Sequence, residues 1–370
     1  MFQQLLDTYK FDEVKAFIHS RTDRDVELAL GASKADEEQF AALLSPAAEK
    51  YIEPMAMLAH RITKQRFGST IKIYAPLYLS NECTNSCRYC GFNTHNGIPR
   101  VTLTDEQILT EAEHIAGLGI QHLLLVTGES PKQVGVDYLV NALKLMDGKF
   151  SSMSIEIFPM SVEEYGIMYR HGVDGLTLYQ ETYNREKYAE VHPAGRKRDF
   201  EWRLAGPERG AEAGFRFLGI GSLMGLEDFR TEQFFTGLHA GYLIKNYWKT
   251  QVSMSFPRIR KAEGNFRPYE IINDLNLVQS MLAQRLFQHD AGLVISTREP
   301  AQMRDNLLPL GVTQMSAGSK TEPGGYSQEH DGKQFEVEDK RSVEEFCNML
   351  RSKGYDPVMK DWDRSFLLGA

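Results

Sequence analysis

Three cysteines lie within eight residues of this sequence, at Cys83, Cys87 and Cys90. Thiolates are the usual ligands of iron–sulfur clusters, and a [4Fe–4S] cluster normally takes one thiolate for each of its irons. Three thiolates leave one iron open, and an open iron can chelate a small molecule through its amino and carboxylate groups. The spacing therefore predicts a [4Fe–4S] cluster that also holds a ligand.

A structural zinc site is the alternative interpretation of the same loop, with His95 as the fourth ligand. Such sites usually take their ligands from two short Cys-x-x-Cys-like pairs, so the spacing favours the cluster. The remaining cysteine, Cys347, falls in a segment with a helical pattern (343–350), and we expect it to be a buried apolar residue. Three crowded cysteines and one remote one do not make a disulfide framework, which favours a reducing compartment.

The composition excludes several classes of protein. A chain of 370 residues can form one domain of barrel size or two ordinary ones. The net charge of −8 and the absence of a basic run argue against binding to nucleic acid or to a membrane surface. The sequence contains neither an apolar stretch of about 20 residues nor the basic-then-apolar start of a secretory signal. We therefore expect a cytoplasmic protein.

From residue 71 onward, short apolar runs alternate with amphipathic segments of helical period. Strands are predicted at 71–79, 122–127, 153–158, 175–179, 215–220, 251–256, 292–296 and 312–315. Helices are predicted at 105–117, 136–147, 161–170, 199–213, 230–247 and 272–287. Eight strands, most of them followed by a helix, predict an α/β fold, a (β/α)8 TIM-type barrel with an N-terminal helical extension. An open doubly wound sheet and a partial barrel of six strands are the alternatives.

Three regions follow from this pattern. Residues 1–70 are predicted to form the helical extension, residues 71–320 the barrel, and residues 321–370 a C-terminal loop and helical segment packed on the barrel. The loop at 319–332 is polar and rich in glycine, so we expect it to be a mobile lid.

Polar residues follow the predicted strands at the end where barrels carry their active sites. Glu129 follows the second strand, and Glu156 alternates with apolar neighbours, so it should face the interior. A buried carboxylate needs a partner, either a cofactor or a core Arg or Lys. Arg298 follows strand seven and Ser316 strand eight. An Arg fork and a serine hydroxyl fit the carboxylate of an amino acid, although a structural pair of Arg298 with Glu299 or Asp305 is the alternative.

The cysteine spacing, with Tyr89 between the last two cysteines and Gly91 after them, resembles the radical S-adenosylmethionine (SAM) superfamily. Within it, the order of segments between residues 70 and 320 resembles the 2-iminoacetate synthase family, the tyrosine lyases of thiamine thiazole biosynthesis. The matching segments are YLSNECTNSCRYCGFN, LLLVTGE, SIEIFPM, LYQETYN, HPAGRKRDF, GIGSLMGL and VISTREPAQMRDNL. Related families are the tyrosine lyase of [FeFe]-hydrogenase maturation, which has further cluster-binding cysteines in a C-terminal domain, and the tryptophan lyases. This chain has only Cys347 after Cys90, which favours the thiamine enzyme.

The resemblance implies a reaction and a set of residues. A 5′-deoxyadenosyl radical would take a hydrogen from the tyrosine amine, and the Cα–Cβ bond would break to give dehydroglycine (2-iminoacetate) and p-cresol. Arg298 and Ser316 would bind the substrate carboxylate. The phenol end is open, with His192, Tyr269 and the 319–332 loop as possibilities. The resemblance implies Glu129 and Arg203 in cofactor binding, and the predicted set is completed from position in the chain by Tyr89, Glu156, Gln180, Glu181 and Met224.

The resemblance also implies thiazole synthase and a flavodoxin-type electron donor as partners. Three other functions stay open at this point: tryptophan cleavage or hydrogenase-maturase-like chemistry, biotin-synthase-like sulfur or methyl chemistry, and a zinc-stabilised binding module.

Overall fold

The computed structural model of the protein describes residues 1–264, 266–328 and 331–363. Its centre is a closed barrel of eight parallel strands in the order β2-β3-β4-β5-β6-β7-β8-β1, with β1 paired again to β2. Closure shows in the register, where Lys72 of β1 pairs with Gln314 of β8 and Ala75 of β1 pairs with Leu123 of β2. The strands are β1 Thr70–Ser80, β2 His122–Thr127, β3 Ser152–Glu156, β4 Val173–Thr177, β5 Phe217–Gly221, β6 Gln251–Ser255, β7 Gly292–Ile295 and β8 Gln314–Ser316. The barrel prediction is confirmed, and the open sheet and the six-stranded barrel are wrong.

Helices cover the strands on the outside, so most strand residues are buried. In β2 every residue is buried, as expected for a parallel strand with both faces covered. The outer helices are α6 Asp105–Gly117, α7 Val136–Leu145, α8 Val162–Arg170, α9 Arg185–Val191, α10 Phe200–Leu204, α11 Gly206–Glu212, α12 Phe229–Asn246, α13 Asp274–Phe287 and α14 Ala301–Leu307, with 3-10 helices at Arg196–Arg198 and Leu308–Leu310. None of the described helices has the length and apolarity needed to cross a bilayer.

The helix predicted at 199–213 is in fact two helices, α10 and α11. Pro207 lacks an N–H donor and its ring clashes with the preceding turn, so it fits only in the first turn of a new helix. It occupies that position in α11, directly after the break at Ala205.

Five helices and a 3-10 helix precede the barrel: α1 Phe2–Leu6, α2 Phe11–His19, α3 Asp23–Gly31, α4 Glu37–Leu44, Pro46–Tyr51 and α5 Ile52–Phe67. They share a second hydrophobic core with α12 and α13, in which Phe40 stacks on Phe287 at 4.1 Å between ring centroids. This extension is therefore packed against the outer helices. The predicted boundaries at residues 70 and 320 stay predictions.

The C-terminal segment adds α15 Val343–Ser352 and a strand that the sequence did not indicate, β9 Asp356–Val358. β9 pairs in parallel with the start of β1, where Ile71 lies opposite Pro357. Cys347 lies on α15 with its side chain buried in the main core, as predicted.

Candidate active site

The loop that carries the three cysteines follows β1 and is fixed to the end of β2. The Thr84 backbone N–H donates to the Glu129 carbonyl at 2.9 Å. The Asn85 amide donates to the Glu129 carboxylate (Nδ2–Oε2, 2.7 Å). On its other side, the Ser86 N–H donates to the Ala194 carbonyl at 3.2 Å. The cysteine loop is therefore bonded both to β2 and to the segment between α9 and α10.

Arg100 closes the same loop from within. Its guanidinium donates to the carbonyls of Asn81 at 2.8 Å, Phe92 at 2.9 Å and Asn93 at 2.6 Å. Gly91 is needed next to Cys90, because a Cβ there would lie 2.6 Å from the Gln334 carbonyl oxygen. The backbone around the cysteines is thus held by internal hydrogen bonds.

The three thiols line one cavity of about 100 Å³, together with Glu129 and Arg203. Burial raises the pKa of Cys87 to about 12 and that of Cys90 to about 11, so a bound cation is needed to form the thiolates. In the described ranges, no three His, Cys, Asp or Glu side chains are placed to hold a single metal ion, which does not support the zinc alternative. Thiols on a shared cavity fit a cluster, in which each binds a different iron.

A buried network of charges borders this cavity. Lys197 Nζ donates to Glu181 Oε1 at 2.6 Å, and Arg203 Nη2 lies 3.4 Å from the same oxygen. Arg203 Nε also donates to the Tyr179 carbonyl at 2.6 Å. Burial raises the pKa of Glu181, but Lys197 and Arg203 outweigh it, so the net pKa is lowered. Glu181 has a φ of 73°, which is unusual for a non-glycine residue and holds its carboxylate within this network.

Tyr89 is fixed by a buried histidine. His192 Nδ1 lies 2.8 Å from the Tyr188 carbonyl, which can only accept, so Nδ1 carries the proton. His192 Nε2 then accepts from the Tyr89 hydroxyl at 2.7 Å. Burial lowers the pKa of His192 to about 3, which keeps the ring neutral. Both ring nitrogens are therefore occupied, and His192 is not placed to bind a substrate.

A second cavity, of about 60 Å³, lies deeper in the barrel and shares Glu156, Tyr179 and Val126 with the cysteine cavity. Burial raises the pKa of Glu156 to about 7, and Arg298 opposes the shift. Glu156 therefore faces the interior, as the strand alternation predicted.

Arg298 reaches this second cavity from the end of β7, with its guanidinium carbon 3.4 Å from the centroid of the Phe335 ring. Neither carboxylate considered from the sequence pairs with it. Glu299 binds Arg258 and Arg260, and Asp305 binds Arg341. Within the described part of the chain, no carboxylate lies within 4.0 Å of the Arg298 guanidinium.

Two serines complete the cavity wall. Ser316 lines it, and its hydroxyl accepts from the Thr297 N–H at 3.0 Å. Ser319 also lines it, and its buried hydroxyl has no hydrogen-bond partner among the described residues. An orphaned buried hydroxyl costs free energy until a ligand satisfies it.

The structure does not bring every predicted residue to the site. Gln180 is buried between two cavity residues, Tyr179 and Glu181, but does not line either cavity. The reason is the alternation of an extended chain, which turns neighbouring side chains to opposite faces. Met224 likewise packs in the main hydrophobic core, whereas Leu223 lines a neighbouring cavity.

Of the possibilities for the phenol end, Tyr269 is exposed and bonds to Glu190 at the surface. The 319–332 loop contributes Ser319 and Thr321 to the cavity, and its Tyr326 N–H donates to Glu111 at 2.9 Å. Residues 329 and 330 of the predicted lid lie outside the described residues.

Sequence reasoning missed three residues of the site. Asn85 binds Glu129, Lys197 binds Glu181, and Phe335 stacks on Arg298. Lys197 lies in the HPAGRKRDF segment and could have been considered there. Phe335 comes from an irregular segment with no local signal.

Comparison with known proteins agrees with this geometry. The Radical SAM superfamily model matches residues 77–234, and that of the Biotin and Thiamin Synthesis associated domain matches residues 255–356. The 2-iminoacetate synthases of Salmonella typhimurium and Escherichia coli are 43% and 42% identical to this chain. The alignments cover 96% and 95% of this chain, and 94% of each relative.

Solved structures show the same architecture. The [FeFe]-hydrogenase maturase HydG from Carboxydothermus hydrogenoformans is 30% identical, with a TM-score of 0.90 over 98% of this chain and 86% of that one. Methylornithine synthase (PylB) shares the fold, with a TM-score of 0.73 at 19% identity over 90% of this chain and 97% of that one. The cysteine loop, the barrel and the near full-length similarity place this chain in the 2-iminoacetate synthase family of radical SAM enzymes.

Proposed function

We infer that this protein is a radical SAM lyase that cleaves the Cα–Cβ bond of L-tyrosine to 2-iminoacetate and p-cresol, for thiamine thiazole biosynthesis. The observation that carries this inference is Arg298, a guanidinium without a carboxylate partner among the described residues, facing a cavity next to the cysteine cavity. Such a group is suited to the carboxylate of an amino acid. The relatives named 2-iminoacetate synthase supply the identity of the reaction.

The cofactors are a [4Fe–4S] cluster and SAM, as in the radical SAM superfamily. When bound, they supply the 5′-deoxyadenosyl radical that removes a hydrogen from the substrate. Cys83, Cys87 and Cys90 would hold the cluster, since their thiols line one cavity.

Glu129, Glu181 and Arg203 would bind the polar groups of SAM. Asn85 takes one oxygen of Glu129, so the other can accept from the SAM amine. Arg203 already neutralises Glu181, and a second carboxylate could share its remaining donors. The hydrogen bond to His192 holds the Tyr89 ring in place, and this ring would contact the bound cofactor.

Arg298 would bind the carboxylate of tyrosine, and the hydroxyls of Ser316 and Ser319 would add hydrogen bonds. Arg298 is stacked on Phe335, so its plane is fixed before the substrate arrives. Part of the cavity wall is apolar, with Leu124, Val126 and Phe256 among the lining residues. Apolar walls exclude water, which protects a radical from side reactions.

Product analysis tests this function. Reconstituted, reduced enzyme with SAM and L-tyrosine should give p-cresol, 5′-deoxyadenosine, methionine and glyoxylate, the last from hydrolysed 2-iminoacetate. L-Tryptophan in place of tyrosine is the matched control and should give no indole-derived product. Carbon monoxide or cyanide as the main product would assign the chain to maturase chemistry instead. Turnover of tryptophan with tyrosine inert would refute the substrate.

The electron that starts each turnover must come from a reductant, and we propose an acidic flavodoxin-type protein. The cysteine loop bonds to the segment that carries Arg196 and Arg198, and both arginines are exposed although the chain has a net charge of −8. A cationic rim beside the cluster loop is complementary to an acidic carrier. Double replacement of Arg196 and Arg198 by Ala should slow flavodoxin-driven turnover but leave dithionite-driven turnover unchanged. Equal slowing with both reductants would argue against this docking site.

Thiazole synthase is the proposed consumer of 2-iminoacetate, because the imine hydrolyses in water and must be used soon after release. A reducing cytoplasm is the proposed compartment, since the three crowded thiols must stay free of disulfides. Purified thiazole synthase should lower the yield of glyoxylate per p-cresol, and an unchanged ratio would count against this partner.

A further inference from the structure

The base of the barrel, at the opposite end from the cysteine loop, contains a cavity of about 370 Å³. Its lining comes largely from the first residues of the strands, including Gln251 of β6 and Gln314 of β8. A volume above about 300 Å³ is typical of small-molecule sites. TIM barrels usually fill this region with branched apolar side chains. The base of this barrel therefore contains an open cavity that has polar side chains among its lining residues.

Two groups at the base are suited to an anion. Lys72 lines both the base cavity and the smaller cavity directly above it. His122, at the start of β2, lines the upper one and is only 3% exposed, and neither of its ring nitrogens has a hydrogen-bond partner in the described ranges. Burial lowers the pKa of Lys72, and a nearby carboxylate acts in the opposite direction. A buried ammonium beside a buried imidazole is a pair of groups that a carboxylate can contact together.

The protein itself places a carboxylate at this position. Asp361 Oδ2 lies 3.2 Å from Lys72 Nζ, and Asp361 Oδ1 lies 3.1 Å from His122 Nε2 without the geometry of a hydrogen bond. Asp361 belongs to the segment after β9, and its side chain is 37% exposed. The next residue, Trp362, stacks on Arg216 with 4.4 Å between the guanidinium carbon and the ring centroid. A partly exposed carboxylate thus covers the two groups from outside.

We propose that the barrel base is a second binding site, for a small carboxylate of two or three carbons that replaces Asp361 on Lys72 and His122. This rests on the proposed function, whose product 2-iminoacetate is a two-carbon carboxylate. The ligand carboxylate takes the place of the Asp361 carboxylate, and its remaining atoms occupy the cavity beside Gln314 and Ser253. Its binding moves Asp361, and with it the adjacent Trp362.

Trp362 makes the site measurable. The chain has three tryptophans, so replacing Trp202 and Trp248 with Phe leaves Trp362 as the only one. The reconstituted full-length protein is titrated with sodium glycolate, a two-carbon carboxylate that does not react with amines, against sodium chloride at equal ionic strength. We expect a saturable change in Trp362 emission with glycolate and none with chloride.

Variants of the same protein assign the contacts. Lys72→Met should weaken glycolate binding at least tenfold, whereas Lys144→Met, an exposed lysine on α7, should leave it unchanged. Asp361→Asn removes the competing carboxylate and should tighten binding by about fivefold or more, the range of coupled binding equilibria. Asp361 is partly exposed, so this variant should fold even if Lys72→Met does not.

Three results would overturn the proposal. They are the absence of a saturable change in both the parent and Asp361→Asn, equal binding in Lys72→Met, and stronger binding of inorganic phosphate than of glycolate. Formation of p-cresol by the same preparations is measured separately. Failure of the proposed function would appear there, and failure of the base site would appear only in the Trp362 signal.

Discussion

Replacing Arg298 with alanine should weaken tyrosine binding while the cluster stays in place. Truncating one partner of a buried charge pair costs about 2–5 kcal/mol, and about 1.4 kcal/mol is a factor of ten in affinity. The apparent KM for tyrosine should therefore rise by at least about thirtyfold. Arg298 also lowers the pKa of Glu156, so without Arg298 this buried carboxyl should bind a proton more readily.

Replacing Arg298 with lysine separates charge from geometry. Lysine keeps the positive charge but loses the planar pair of donors and the stacking on Phe335. We expect a loss of about 1.5–3 kcal/mol, the usual value of a hydrogen bond to a charged group. The substrate should also be less well oriented, so more 5′-deoxyadenosine should form per p-cresol.

The assay measures p-cresol and 5′-deoxyadenosine against tyrosine concentration, with iron content determined on each preparation. Arg351→Ala, an exposed arginine on α15, is the matched control and should behave as the parent. An unchanged KM in Arg298→Ala, with iron content intact, would refute the assignment of Arg298 to the substrate carboxylate.

Three further predictions concern the rest of the chain. Anaerobic reconstitution should give about four irons per chain; Cys347→Ala should retain them, Cys87→Ala should lose them, and eight irons would refute a single cluster. Lys197→Met removes the nearer cation of Glu181 and leaves Arg203 at 3.4 Å, so SAM cleavage should weaken at constant iron content. Unchanged SAM cleavage would contradict this. Burial raises the pKa of Glu232 to about 8. Between about pH 4.5 and pH 8 the native state therefore keeps a proton that the unfolded chain has released. The free energy of unfolding should fall as the pH rises through this range. Glu232→Gln should flatten that fall in thermal unfolding curves at pH 6 and pH 8, and an equally steep fall would contradict the assignment.

The fold was largely readable from the sequence because its strands are buried on both faces. Short β-like runs separated by amphipathic segments located all eight barrel strands to within a few residues. β9 could not be found in this way. It has only three residues and includes Pro357. It forms because the first residues of β1 extend beyond the start of β2, and β9 pairs with the edge that they leave there.

The sequence predicted the site residues that follow strands, and it did not predict those that come from loops. Glu156 and Arg298 were placed correctly at the cavity because the ends of barrel strands converge there. Gln180 was predicted to bind the cofactor, but it lines neither cavity, as alternation from Tyr179 indicates. Phe335 lies more than thirty residues after Arg298 in the sequence, and only tertiary packing brings the two side chains together.

The ion pairs beside Arg298 explain why this arginine is available to a substrate. Glu299, its immediate neighbour, is bound by two other arginines, and Arg304 of α14 binds Asp339 in the core. The Glu338 and Asp339 N–H groups both donate to the Thr297 carbonyl, at 3.0 and 3.2 Å. These contacts fix the end of β7 against the segment that carries Phe335, so Arg298 and its stacking partner are held in place together. Pre-positioning of this kind reduces the ordering cost of binding. Removing the Arg304–Asp339 pair should therefore raise the KM for tyrosine without any direct contact with it, and an unchanged KM in a folded Asp339→Asn variant would show that Arg298 is positioned in some other way.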